Sequence, residues 1–235
     1  MEPNAVIFDM DGVLIDSYQA HYQSWVFMAS RHGLQISERQ FRDSFGRTSR
    51  ESMAQYWGEG RFSETEVKAM DLEKEADFRR IISADFPAMP GARELVAAFD
   101  RGGFALAVGS SAPRENVELA VDRLGVRDRL QAIVTGSDVQ RGKPDPQIFL
   151  TAAQRLGIPP ARCVVIEDAQ VGIAAAAAAG MACVGFASSG RTRESLSAAG
   201  LVIDSLSEVS PEVLRQLLTA AAARLDRPVA GHAPS

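Results

Sequence analysis

Cysteine is scarce in this chain, with two residues, Cys163 and Cys183, in 235. Both sit in apolar runs, so a disulfide-built fold is excluded and buried free thiols of a reducing compartment are expected. A basic surplus is also missing. The net charge is −5 and no basic run is concentrated anywhere, which makes nucleic acid a poor partner. No uncharged stretch is long enough to cross a bilayer. The best candidate, Val171 to Ala187, is mostly alanine, is broken by Gly172, Gly180 and Gly185, and reads as a small-residue helix followed by a buried strand. No signal peptide is visible, because Asp9 interrupts the first apolar run, and the expected location is cytoplasmic. Internal repeats and informative low-complexity segments are lacking too.

What is present is an ordinary globular composition, 46% hydrophobic and 23% charged, in a chain long enough for one domain or two unequal ones. The stretch Val6-Ile7-Phe8-Asp9-Met10-Asp11-Gly12-Val13-Leu14 organises it. A short β-branched run bounded by turn chemistry predicts a buried strand, with two carboxylates at its C-terminal end. Open α/β sheets place ligand sites at that end of their strands. Neighbouring acids repel unless a cation lies between them, and a hard divalent ion, Mg²⁺ above all, suits carboxylate oxygens. A solvated acidic turn is the plain alternative. A calcium loop fits poorly, since the EF-hand pattern needs further acids and flanking helices.

From Ser17 to about Pro87 the spacing is helical, with helices predicted over 18–32, 37–45, 49–57 and 63–83, and with Ser37 and Ser63 as N-caps. Pro87, Pro90 and Gly91 then punctuate the chain, and apolar strands alternate with helices. Strands are predicted at 104–108, 131–135, 163–166, 181–186 and 201–203. Helices are predicted at 91–101, 114–124, 146–156, 170–179, 191–199 and 211–224. The expected fold is α/β, a Rossmann-like doubly wound parallel sheet core (1–16 and 88–225) with an inserted all-helical cap (17–87). Residues 226–235 read as a disordered tail.

Polar residues gather at the predicted strand ends: Ser110 and Ser111 after one, Lys143 after the next, Glu167 and Asp168 after a third. Phosphoryl transfer needs an in-line nucleophile and donors for the equatorial oxygens. Asp9 suits the nucleophile, giving an aspartyl-phosphate. Asp9, Asp168, Glu167 and the backbone carbonyl of Asp11 suit the metal. Ser110 and Lys143 suit the phosphoryl oxygens, and Asp11 the general acid and base. Other site chemistries fail on detail. Five residues separate Gly136 and Gly142 and Pro144 follows Lys143, so there is no P-loop. No Gly-x-Gly-x-x-Gly opens a helix, and no Gly-x-Ser-x-Gly elbow surrounds Ser110.

These residues resemble the motifs of the haloacid dehalogenase superfamily, in its β-phosphoglucomutase and sugar-phosphate phosphatase branch. Asp9-Met-Asp11-Gly12-Val-Leu-Ile-Asp16-Ser17 resembles the first motif, Ser110 the second, Lys143-Pro144 the third and Glu167-Asp168 the fourth. The resemblance implies a Rossmann-like core, a helical cap inserted after the first motif, Mg²⁺ and a covalent aspartyl-phosphate. It places Gly12, Ser17, Ser111 and Asn116 at the substrate, the last two in a loop longer than the mutase's. His21 and Trp25 match a His-x-x-x-Trp feature of the cap, and Lys74 matches a cap lysine. Gly46 and Arg47 begin a segment similar to the mutase's cap loop, in which Arg50 falls one position late, so that either Arg47 or Arg50 is the expected phosphate clamp.

The expected activity is a Mg²⁺-dependent phosphatase acting on a small phosphorylated metabolite, a sugar phosphate above all, with the protein a monomer or weak homodimer. A phosphosugar mutase and a non-catalytic phospho-ligand binder are the alternatives.

Overall fold

The computed structural model describes residues 3–45, 48–188 and 190–225. Six strands form one parallel sheet: β1 (Ala5–Phe8), β2 (Ala105–Gly109), β3 (Ala132–Val134), β4 (Cys163–Glu167), β5 (Ala182–Phe186) and β6 (Leu201–Ile203). Their order across the sheet is β3-β2-β1-β4-β5-β6. The opening strand therefore lies in the middle, paired with β2 on one side and β4 on the other.

Side chains of successive strand residues point to opposite faces, so a central parallel strand must be apolar on both. In β1, Val6 and Phe8 enter one layer, beneath α5 (Ala92–Arg101), α6 (Arg114–Leu124) and α9 (Pro211–Leu225). Ala5 and Ile7 enter the other, beneath α7 (Gln147–Leu156) and α8 (Gln170–Ala178). Chain order reverses between β1 and β4, which opens a crevice at their carboxyl ends.

Between β1 and α5 come four helices: α1 (Tyr18–Arg31), α2 (Glu38–Ser44), α3 (Ser49–Trp57) and α4 (Glu64–Ala84). Ser37, Thr48 and Ser63 each cap a helix reciprocally with Gln40, Glu51 and Glu66, satisfying backbone donors that the first turn leaves open. Trp25, Met28, Phe41, Met53, Tyr56 and Met70 give the helices a buried cluster of their own. Ala20, Phe78 and Ile82 join the layer over the sheet instead. The chain enters and leaves this insert side by side, with Ile15 bridged to Ala88 and the Asp16 N–H donating to the Pro87 carbonyl at 2.8 Å.

One predicted helix is corrected. Over 191–199 only a single 3₁₀ turn forms, at Glu194–Leu196. Ser195 donates to the Thr192 carbonyl, and Arg193 reaches Asp204 and the Val202 carbonyl, so short-range bonds replace the helical ladder. The tail predicted at 226–235 lies outside the described residues. Cys163 and Cys183 are buried free thiols. Among the described residues no helix is long and apolar enough to cross a membrane.

Candidate active site

The crevice at the carboxyl ends of β1 and β4 collects the motif residues. Asp9 continues β1, and its N–H donates to the Ile166 carbonyl of β4 at 3.0 Å. Lys143, carried by the loop between β3 and α7, donates through Nζ to Asp9 Oδ1 at 2.7 Å and to Glu167 Oε1 at 2.6 Å. Both carboxylates and the ammonium are buried. Glu167 Oε2 also accepts from the Ala169 N–H at 2.7 Å, which fixes the carboxylate at the start of α8.

Two glycines make this approach possible. A Cβ on Gly172 would lie 1.8 Å from Glu167 Oε1. A Cβ on Gly12 would lie 2.4 Å from Asp168 Oδ2, and Gly12 has a φ of +74° besides, a conformation that side chains disfavour.

Negative charge is in excess here. Burial raises the Asp9 pKa well above its ordinary value, and Glu167, Asp168 and Asp11 add to the rise while Lys143 opposes it. Burial and Glu167 push Asp168 up to about 7, against Arg191 and Lys143. Burial by itself would lower the Lys143 pKa, but Asp9 and Glu167 outweigh it and the ammonium is held above its ordinary value. Asp9, Glu167 and Asp168 offer oxygens that lie within 4.8 Å of one another. An all-oxygen set short of positive charge fits a hard divalent cation such as Mg²⁺.

Asp11 faces the other way. Its Oδ1 is 3.2 Å from His21 Nε2 on α1. Lys74 Nζ of α4 lies 3.1 Å from His21 Nδ1. An ammonium has no lone pair to give, so Nδ1 accepts from Lys74 and Nε2 carries the proton that it donates to Asp11. Burial would raise the Asp11 pKa, but His21, the buried Ser17 hydroxyl beside it and Lys74 bring it below the usual value. With its carboxylate on His21, Asp11 retains its backbone carbonyl for a metal. The His21 ring is stacked on Phe78, centroids 4.0 Å apart.

A cavity of about 510 Å³ runs from Asp9 into the helical insert. Ser110, Ser111, His21, Trp25, Lys74 and Asn116 line it, as do residues outside the sequence motifs: Glu75, Asp71 and Arg191. Ser110 is buried, its Oγ accepting from the Ala112 N–H at 3.2 Å. Asn116 is engaged on both sides: it donates to Glu75 Oε2 at 2.6 Å and accepts from Arg79 at 2.8 Å. Arg191, in the loop after β5, lies 3.3 Å from Asp168 Oδ2 and 5.3 Å from the Phe45 ring centroid.

Arg50 is a correction. It is paired with Glu64 near the start of α4 and does not line the cavity, because that carboxylate gives its exposed guanidinium a nearer partner. Gly46 and Arg47 lie outside the described residues. Glu75 was open to detection as the acid next to Lys74. Arg191 follows no motif, and nothing in its sequence surroundings singles it out.

A profile for haloacid dehalogenase-like hydrolases matches residues 3–180. The chain is 34% identical over 209 residues to validoxylamine A 7'-phosphate phosphatase of Streptomyces hygroscopicus subsp. limoneus, covering 86% of this chain and 94% of that one. It is 32% identical over 219 residues to the β-phosphoglucomutase of Bacillus subtilis, covering 90% and 94%. The crystal structure of β-phosphoglucomutase from Clostridium difficile superposes with a TM-score of 0.83 at 28% identity, over 95% of this chain and all of that one. With the crevice, the sheet order and these likenesses in agreement, the chain belongs to the haloacid dehalogenase-like hydrolases.

Proposed function

We propose that the protein is a Mg²⁺-dependent phosphatase of small phosphorylated polyols, sugar phosphates among them, and that it works through an aspartyl-phosphate on Asp9. The observation that carries this reading is the buried Asp9 carboxylate on Lys143, beside Glu167 and Asp168, with a second acid, Asp11, held on a histidine. Relatives named as phosphatases of validoxylamine A 7'-phosphate and fructose 1-phosphate, at 34% and 32% identity, support it.

Asp9, Glu167, Asp168 and the Asp11 carbonyl would hold a magnesium ion, which would supply a Lewis acid to offset the repulsion between carboxylate and phosphoryl oxygens. The protein's own groups do the rest. Asp9 attacks phosphorus as the bond to the leaving oxygen breaks, and Asp11, having first taken up a proton against the pull of His21 and Lys74, delivers it to that oxygen. Water then attacks the acyl phosphate, Asp11 takes its proton, and Asp9 is regenerated with release of inorganic phosphate. Lys143 and Ser110 hold the phosphoryl oxygens throughout. His21 keeps Asp11 aimed into the crevice. The insert 17–87 acts as a cap that keeps bulk water from the acyl phosphate.

The test is phosphate release from p-nitrophenyl phosphate and a panel of sugar phosphates, with Mg²⁺ and with EDTA. Turnover that needs the metal supports the reading, and its absence in both conditions overturns it. The β-phosphoglucomutase relatives favour one second reading, a phosphosugar mutase. Conversion of β-glucose 1-phosphate to glucose 6-phosphate, primed by the bisphosphate, separates the two.

A further inference from the structure

Asp168 is held by a part of the chain that none of the motifs covers. Two backbone bonds tie down the segment after β5. The Ala187 N–H donates to the Ile203 carbonyl of β6 at 2.8 Å, and the Arg191 N–H donates to the Ser188 carbonyl at 2.9 Å. The Arg191 side chain enters the cavity, and its Nε donates to Asp168 Oδ2 at 3.3 Å. The Phe45 ring, just past the end of α2, lies against the same guanidinium and limits where it can swing.

The acids of the crevice are served by different cations. Lys143 bonds to Asp9 and to Glu167. Among the described residues, the ion-pair partner of the buried Asp168 is Arg191. A carboxylate turns readily about its last bond, because that torsion has broad wells. A donor fixed on one oxygen removes this freedom and sets where the other oxygen points. Metal-binding carboxylates are commonly held by hydrogen bonds of this kind.

Ser188 supplies a second, independent observation. Its side chain is buried, the residue being 8% exposed, and its Oγ has no hydrogen-bond partner. Nearly all buried polar groups have one, in the protein or in an ordered water. Gly12 shows where this hydroxyl lies. A Cβ on Gly12 would be 2.4 Å from Asp168 Oδ2 and 3.1 Å from Ser188 Oγ, so the hydroxyl and the carboxylate crowd the same glycine. The oxygen that Arg191 holds therefore has an unused hydroxyl beside it.

We propose that Arg191 is a positioning residue of the cation site. Together with the Ser188 hydroxyl, which reaches the same carboxylate through a buried water, it fixes Asp168 so that the remaining oxygen meets the divalent ion. This rests on the Mg²⁺-dependent reading and adds two residues to that site. The sign of the effect sets the role apart. Arg191 carries a positive charge, and by Coulomb's law alone its removal would tighten the binding of a cation. Positioning requires the reverse.

The test is the Mg²⁺ affinity of the full-length protein, stripped with EDTA and dialysed, with no substrate present. It is read by calorimetric titration and by the rise of Tm with Mg²⁺. Arg191→Met keeps a stem against Phe45 but removes the charge and the donors, and its Kd is expected to rise about tenfold or more. Arg191→Lys, which keeps a charged donor, is expected to lie between that variant and the wild type. Ser188→Ala is expected to raise the Kd by about tenfold. Arg193→Met removes a nearby exposed charge that is paired with Asp204 and screened by solvent, and is expected to stay within about twofold of the wild type. An unchanged Kd in either Arg191→Met or Ser188→Ala overturns the inference, as does tighter binding in Arg191→Met or an equal loss in Arg193→Met. A lower Tm of the metal-free variants with no change in Kd marks packing alone and overturns it too. Should Arg191→Met fail to fold, Arg191→Lys and Ser188→Ala decide by the same criterion. Mg²⁺ binding that the variants leave untouched sinks this inference alone, whereas a wild type that binds no Mg²⁺ by either readout sinks the metal-dependent reading beneath it.

Discussion

Asn116 donates to Glu75 across the seam between sheet and insert, Nδ2 to Oε2 at 2.6 Å, while the other oxygen of Glu75 accepts from Lys74. All three side chains are buried. Burial would raise the Glu75 pKa, but Lys74, His21 and Asn116 outweigh it and keep the group a carboxylate. Glu75→Ala takes the carboxylate from a buried ammonium, which keeps only His21 Nδ1, and from the buried Asn116 amide, at a cost of about 3 kcal/mol. In a chain of this size that lowers Tm by about 6–12 °C, readable in a thermal melt. Glu75→Gln keeps an acceptor for Lys74 and should lose less. An unshifted melt in Glu75→Ala would show that the seam contributes nothing.

Asp9→Asn keeps the shape and an acceptor for Lys143 but removes the proposed nucleophile. Turnover of p-nitrophenyl phosphate should fall by about 10⁴-fold or more while the melting curve stays cooperative. Residual turnover near the wild-type rate would end the covalent mechanism.

Gly172 is where the sequence must stay small. The added methyl of Gly172→Ala would lie 1.8 Å from Glu167 Oε1, so Glu167 has to leave Lys143 or α8 has to move. A loss of about 2 kcal/mol in chemical denaturation is expected, along with a higher Mg²⁺ requirement in the phosphatase assay. A variant with wild-type stability and metal dependence would contradict the packing described here.

Metal binding should be visible without turnover. Saturation at about a hundred times the Kd stabilises the folded state by about 2.7 kcal/mol, so Mg²⁺ added after EDTA should raise Tm by several degrees. Asp168→Asn should reduce that shift. An equal shift in both proteins would place the ion elsewhere.

Away from the crevice, Asp138 accepts from Arg114 at 2.6 Å, Arg155 at 2.8 Å and the Thr135 N–H and hydroxyl at 2.8 Å. Burial works to raise its pKa, but Arg155 and Thr135 outweigh it and hold the carboxyl far below the usual range. A depressed folded pKa contributes stability that is fully present above about pH 4, the unfolded value, and is lost as pH falls through the folded one. Asp138→Asn should therefore be less stable than the wild type near neutrality. The gap should narrow as acid is added below pH 4, in melts recorded from pH 7 to pH 2. A gap that is constant with pH would remove the electrostatic account.

Some of this was legible in the chain and some was not, for physical reasons. Asp9, Lys143 and Glu167 could be assembled on paper because each follows a strand whose apolar run is local, and parallel topology brings such ends together. Ser37 and Ser63 announced their helices in the same local way. Arg191 and Asp71 gave no such signal, since what each faces depends on how the insert is oriented over the sheet. Over 191–199, helical spacing lost to the short-range bonds of Ser195 and Arg193. At Arg50, spacing indicated the region but could not anticipate Glu64 as the nearer partner.

The central place of β1 has a consequence for how the protein is made. This strand is made well before its neighbour on the β4 side, Cys163–Glu167, which is synthesised much later. Until then one apolar edge of the sheet lacks its partner, and a half-made chain is a candidate for holding by chaperones. Phosphatase activity should thus switch on abruptly during translation, only after Asp168 has been added and has cleared the exit tunnel.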